Sequence, residues 1–210
     1  QSLRMADTQK YKEGDGPSQS FETTSRAEVM FFTSRQQVYK CRLSDFDDSK
    51  ASVLGDYLPS KLGMDEGESV VHMVLPGDYA GALLFFFENG KAARVDLSAY
   101  ATTSNRRKLT GAYSDKSPLA AMVYLTEDRE LALFSTEPRA LIFSTALLAP
   151  KTTRTTQGVQ VMTLKPKHRL AEVRTVEETS ITNLPRYRCR TVPAAGALLR
   201  EEDGEQMRLL

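Results

Sequence analysis

Three copies of one pattern limit what this chain can fold into. Residues 31–46 read FFTSRQQVYKCRLSDF, residues 85–100 read FFFENGKAARVDLSAY at an offset of 54, and residues 133–148 read LFSTEPRALIFSTALL after a further 48. Each copy opens with apolar residues that suit a buried strand. A short turn follows (34–37, 88–91 and 136–139), then a second strand with alternating apolar positions such as Ala93, Val95 and Leu97. Asn89-Gly90 is the strongest turn signal, because both residues tolerate the positive φ of a tight hairpin. A weaker fourth copy is expected at Tyr187-Arg188-Cys189-Arg190, which repeats Tyr39-Lys40-Cys41-Arg42 at an offset of 148. This would give Cys41 and Cys189 the same repeat position, as small buried side chains.

Strand-like pieces lie between the hairpins, at 69–75, 120–125, 159–164 and 170–176. A period near 50 residues with about four strands per unit is the signature of a radially repeated β structure. The expected fold is therefore all-β, a propeller-like disc of about four blades with the first and last degenerate. Residues 1–199 would form the disc and 200–210 an acidic tail, placed to compete for a basic surface. Residues 194–199 are expected to form a helical turn or to fray.

The 210 residues carry a net charge of only +1, but the charge is segregated. Residues 1–100 sum to −4, residues 101–199 to +7 and residues 200–210 to −2. A basic second half points to a polyanionic partner. The cations gather in the loops after the hairpins. These are Lys50 and Lys61 in the first, Arg106, Arg107, Lys108 and Lys116 in the second, and Lys151 and Arg154 in the third. Arg106 and Arg154 are 48 apart, the hairpin offset, so radial repetition would set successive cations along one curved edge. A second cluster, Lys165, Lys167, His168 and Arg169, surrounds Pro166 in an expected hairpin turn.

Other classes find little support. The longest apolar runs, 81–87 and 140–150, fall short of the ~18 residues of a membrane helix. No basic-then-apolar leader is seen, and a start at Gln1 suggests a piece of a longer polypeptide. Two cysteines and two histidines argue against a disulfide framework or a structural zinc site. No nucleophile elbow, metalloprotease motif or phosphate-cradling glycine loop is present, and the aromatic residues sit in strand runs rather than on a stacking platform. The acidic groups Asp45, Asp47, Asp48 and Asp65, Glu66, Glu68 read as solvated turns, and His72 as a strand histidine.

The repeats resemble the C-terminal domain of the A subunit of bacterial type IIA topoisomerases, DNA gyrase and topoisomerase IV. The likeness rests on Leu83–Arg94 (LLFFFENGKAAR), on Val29–Arg42 (VMFFTSRQQVYKCR, with Gln36-Gln37 where the family has Gly-Lys) and on Arg154-Thr155-Thr156-Gln157-Gly158-Val159. It implies a β-pinwheel whose basic outer edge carries double-stranded DNA without sequence specificity. It further implies partners in the N-terminal part of the A subunit and in the ATPase subunit, and a bacterial cytoplasmic, nucleoid-associated setting. Catalytic residues would lie outside this chain. No cofactor is expected in this domain, with ATP and Mg²⁺ serving the whole enzyme. The stretch 9–16 (QKYKEGDG) matches the family's wrapping box but carries Glu13 and Asp15 and lacks consecutive arginines, which implies bending or steering of DNA rather than gyrase-type wrapping. Topoisomerase IV-like and divergent gyrase-like subunits both remain open. A propeller-type protein-interaction module is the alternative reading.

Overall fold

The computed structural model describes residues 2–3, 23–24, 27–45, 62–104 and 106–204. Two compact units divide the chain: 1–79 with 102–112, and 80–101 with 113–210. Among the described residues, fourteen strands run in order. They are β1 (Ser2–Leu3), β2 (Thr23–Thr24), β3 (Glu28–Thr33), β4 (Gln37–Arg42), β5 (Val70–Val74), β6 (Ala82–Phe87), β7 (Lys91–Asp96), β8 (Lys108–Thr110), β9 (Leu119–Leu125), β10 (Glu130–Ser135), β11 (Arg139–Ser144), β12 (Val159–Gln160), β13 (Leu170–Thr175) and β14 (Ala197–Leu198). One short helix, α1 (Leu184–Tyr187), follows β13. No helix among the described residues is long and apolar enough to cross a membrane.

The first unit holds the sheet β5-β3-β4-β8 and the β1–β2 pair. The second holds two further four-stranded antiparallel sheets, β12-β7-β6-β9 and β13-β10-β11-β14. The three expected hairpins are β3–β4, β6–β7 and β10–β11, with turns at 34–36, 88–90 and 136–138. Gln36 takes a φ of 53° where the second hairpin has Gly90 at 85°, so the first turn keeps the backbone path without the glycine.

The outermost strand of each sheet departs from a simple meander. The loop after β7 contains β8, which pairs with β4 of the preceding hairpin. The loop after β11 contains β12, which pairs with β7. The expected strand at 159–164 is thus only Val159–Gln160, and 165–169 joins strands of different sheets rather than forming a hairpin turn.

Among the described residues, no fourth hairpin forms. Residues 176–187 make a 3-10 turn and α1, and β14 then pairs with β11, so 194–199 provides a strand instead of a helical turn. Cys41 and Cys189 are not equivalent. Cys41 pairs with Val29 inside β4, whereas Cys189 donates its amide to Ile142 from a crossing segment. That segment bridges Ile142 through Arg188, as Lys151 bridges Val95. The spacing of 148 is a coincidence of two different positions.

β6 is buried along all six residues, because both of its faces are covered. On one face, Leu84 and Phe86 meet Leu131, Leu133, Leu141 and Phe143 of the neighbouring sheet, with Phe86 and Phe143 edge-on at 6.1 Å. On the other, Phe85 stacks on Tyr113 at 5.3 Å. Each such fully buried side chain contributes about 1.5–3 kcal/mol. The far face of the last sheet (Phe134, Ile142) is covered by Ile181, Leu184 and Tyr187, where a further hairpin would otherwise sit.

This cover is tied down by Asp203, which is fully buried. Its carboxylate accepts hydrogen bonds from the Thr182 amide (2.8 Å), the Thr182 hydroxyl (3.2 Å) and the Tyr187 hydroxyl (2.7 Å). Residues 200–204 are therefore part of the folded unit, and Asp203 is engaged internally. Burial alone would push its pKa up, but these donors, with Arg200 nearby, hold it below the usual carboxylate value. A depressed folded pKa stabilises above the ordinary aspartate value of about 3.9 and is lost as pH falls through the lower, folded value. Asp203→Ala is expected to cost about 1–3 kcal/mol at neutral pH, because it leaves buried donors unpaired. Thermal melts should show that this difference from wild type shrinks below pH 4, while a constant difference down to pH 2 would contradict the assignment.

Candidate nucleic-acid interface

In the first unit, β8 lies along β4 with Tyr39 opposite Lys108, and the Lys40 amide donates to the Arg107 carbonyl at 2.7 Å. Leu109 points inward and is buried, so strand alternation turns Lys108 and Thr110 outward. Arg106, Arg107 and Lys108 are all exposed, and none makes an ion pair with a described residue. The Lys108 ammonium lies 5.5 Å from the centre of the Tyr39 ring, which steadies its stem while leaving its head in solvent. Tyr39 is itself fixed by a hydrogen bond from its hydroxyl to Glu68 (2.7 Å), and burial and that carboxylate raise the phenol pKa well above the usual range.

In the second unit, residues 149–158 cross β7 from one end to the other. Lys151 exchanges backbone hydrogen bonds with Arg94 and Asp96 (2.8 Å each) and exposes its side chain. Arg154 turns inward. It is half-buried, its Nη1 donates to the Ala99 carbonyl at 3.0 Å, and its guanidinium lies 6.0 Å from the centre of the Tyr100 ring. The exposed positions around it, Lys151, Thr152, Thr153, Thr155 and Gln157, are polar and include no carboxylate.

At the opposite end of the strands, 165–169 lies beside the β10–β11 turn. The Thr136 amide donates to the Arg169 carbonyl (3.0 Å), the Arg169 amide donates to the Thr136 hydroxyl (3.1 Å), and His168 Nδ1 lies 3.0 Å from that hydroxyl. Lys167 (φ 68°) and Arg169 are exposed without an ion pair among the described residues. Lys165 pairs with Glu137 at 2.9 Å, and Arg139 pairs with the other oxygen of the same carboxylate at 3.0 Å. Lys165 first, with Arg139, holds the Glu137 pKa below the usual value against the opposing effect of burial.

The cations of the second unit form two groups. Lys151 is level with Val95 near the end of β7, whereas Gln160, which leads into the 165–169 turn, is level with Lys91 at its start. Those four residue steps correspond to about 13 Å. Lys50 and Lys61, as well as the stretch 9–16, lie outside the described residues.

Other cations are neutralised within the second unit: Arg94 by Asp128 (2.6 Å), Arg129 by Glu177 (3.4 Å), Arg174 by Glu172, and Arg188 by a two-pronged pair with Glu130 (2.9 and 3.0 Å). Arg190 is exposed with no ion pair among the described residues, and sequence reasoning missed it. Its available signal is the last repeat, where 187–190 is a crossing segment instead of the expected strand.

The acidic groups serve internal bonds. Asp45 accepts from the Arg42 amide, while Asp65 and Glu68 accept from the Gln37 side chain. Asp47 and Asp48 lie outside the described residues. No group of three or more acidic, histidine or cysteine side chains among the described residues is placed to hold a metal ion. His72 is half-buried on β5, and burial lowers its pKa.

Repeated four-stranded antiparallel sheets, with the fourth strand supplied by the loop of the next hairpin, define a β-pinwheel with exposed basic connections. A sequence model of the family described as "DNA gyrase C-terminal domain, beta-propeller" matches residues 27–75 and 149–177. Among solved structures, the C-terminal domain of DNA topoisomerase IV superposes with a TM-score of 0.66 at 19% identity, over 81% of this chain and 54% of that one. The E. coli ParC C-terminal domain gives 0.65 at 16% identity, over 92% and 85%. The DNA gyrase A C-terminal domain gives 0.58 at 17%, over 96% and 70%. The chain therefore spans about half the length of the first of these structures. Comparison with curated proteins gives no match. The chain resembles the C-terminal domain of bacterial type IIA topoisomerase A subunits, in sequence over the two matched segments and in fold over most of its length.

Proposed function

We propose that this chain is a non-catalytic domain that binds duplex DNA through its phosphates, within a type IIA topoisomerase whose chemistry resides elsewhere. One observation carries the reading. Arg106, Arg107, Lys108, Lys151, Lys167 and Arg169 are exposed on backbone held by hydrogen bonds, without internal counter-ions among the described residues. A cation already paired gains little from a phosphate, whereas an unpaired one releases a condensed counter-ion from DNA.

The described residues offer neither a recognition helix nor an exposed aromatic platform, so binding depends on charge and shape. Bending 20–30 base pairs by 40–90° costs on the order of 1–6 kcal/mol, which several phosphate contacts offset. Steering or modest bending of a duplex toward the strand-passage core, without wrapping, fits this cation set. ATP, Mg²⁺ and the other subunits belong to that larger enzyme.

Fluorescence anisotropy with a random 30-base-pair duplex tests the reading, and affinity should fall steeply between ~50 and ~200 mM salt. Saturable binding of an acidic protein with no duplex affinity would favour an interaction module instead. Glu137 supplies an internal check. Glu137→Gln removes the charge that occupies Lys165 and Arg139, so duplex affinity should rise and the log–log salt slope steepen by about 0.9 per cation released. An unchanged slope would remove Lys165 from the interface.

A further inference from the structure

We infer that Arg154 is a positioning residue, which shapes the crossing segment 151–158 for its partner without touching that partner's phosphates. This rests on the phosphate-binding reading above.

The crossing segment is held at three places. At its start, Lys151 exchanges two backbone hydrogen bonds with β7. At its end, Gly158 (φ 73°) presses so closely on β7 that a Cβ would stand 1.9 Å from the Ala92 oxygen. Between them the backbone has no ladder to follow, and the Arg154 side chain supplies the hold. Its guanidinium donates to the Ala99 carbonyl, and its Nε is buried with no hydrogen-bond partner among the described residues. Tyr100, beneath it, is fully buried. Burial raises the phenol pKa, against a smaller opposing effect of Arg154, so the ring stays neutral.

A guanidinium that already donates inward and lies against a ring has given up much of the geometry needed to grip a phosphate. Lys151, Thr152, Thr153 and Thr155 are exposed on the segment that Arg154 holds. The arginine whose spacing from Arg106 marks it as a DNA contact in the sequence is the strut beneath the contacts.

Salt titrations of duplex binding separate a strut from a contact, because only a lost phosphate contact changes the slope. Lys151→Ala should make the log–log slope shallower by about 0.9. Arg154→Ala is expected to leave the slope at the wild-type value and to weaken binding about tenfold at every salt concentration. Arg154→Lys keeps the charge but loses the forked donor, so it should also weaken binding about tenfold at an unchanged slope. It remains informative if the alanine variant fails to fold, and melting curves establish that each variant is folded. Amide exchange in the free protein should quicken at Lys151 and Asp96 in both variants.

A slope shallower by about 0.9 in Arg154→Ala, with full rescue by lysine, would make Arg154 a direct contact and overturn the inference. Wild-type affinity in both variants would overturn it as well. A wild-type protein with no salt-dependent duplex affinity would instead overturn the phosphate-binding reading, and the positioning role would fall with it.

Discussion

Replacing Arg106, Arg107 and Lys108 together by alanine is expected to weaken duplex binding roughly 100-fold at ~100 mM salt, at about 1 kcal/mol per exposed contact. The salt slope should become shallower by about 2.7, three contacts at 0.9 each. The fold should survive, because Leu109 and the β8 backbone hold this strand to β4 and both are retained. Thermal melts of the triple variant are therefore expected to match wild type. A matching melt with unchanged affinity would exclude these three side chains from the interface. A lower melting temperature accompanied by weaker binding would show that the cluster also supports β8.

Gly158→Ala is expected to give the largest loss of stability. A Cβ there meets the Ala92 oxygen at 1.9 Å, and the φ of 73° disfavours any side chain. The equivalent glycine ahead of β14, Gly196 (φ 70°), presses in the same way on the Ala140 oxygen, at 2.2 Å. The constraint thus belongs to the way a loop delivers a strand to a sheet, not to one local turn. Backbone has to yield, and a cost of about 3 kcal/mol or more follows. At this chain length that corresponds to a melting temperature lower by about 6–12 °C. Gly204→Ala is the matched control, because a Cβ there stays 3.4 Å from its nearest neighbour and φ is −91°. It should melt within a degree or two of wild type.

The hairpins were legible in the sequence because their signals are local. Apolar runs such as Leu83–Phe87, a Gly90 or Gln36 turn and an alternating return strand all fall within sixteen residues. β8 and β14 were hidden, and β12 was legible only as a longer strand over 159–164, because they are two or three residues long and pair with partners far away in sequence. A strand that short has too few side chains to display alternation. Its marker is the neighbouring glycine, which makes sense only once the close approach to β7 or β11 is seen.

Charge was legible in amount but not in direction. Composition puts Lys165 and Lys167 on equal terms, yet Glu137 neutralises the first and leaves the second free. Periodicity makes Arg154 the counterpart of Arg106, although a carbonyl and a ring turn Arg154 inward. Asp203 reads as one charge of an acidic tail, and the structure gives it three internal donors.

Exposed cations without internal counter-ions among the described residues are expected to bind DNA by displacing its counter-ions. The most direct test is the wild-type affinity for a random 30-base-pair duplex from ~50 to ~200 mM salt. Three to six contacts predict a linear log–log plot with a slope between about −3 and −5. A slope shallower than about −1, or no binding at ~50 mM, would contradict it.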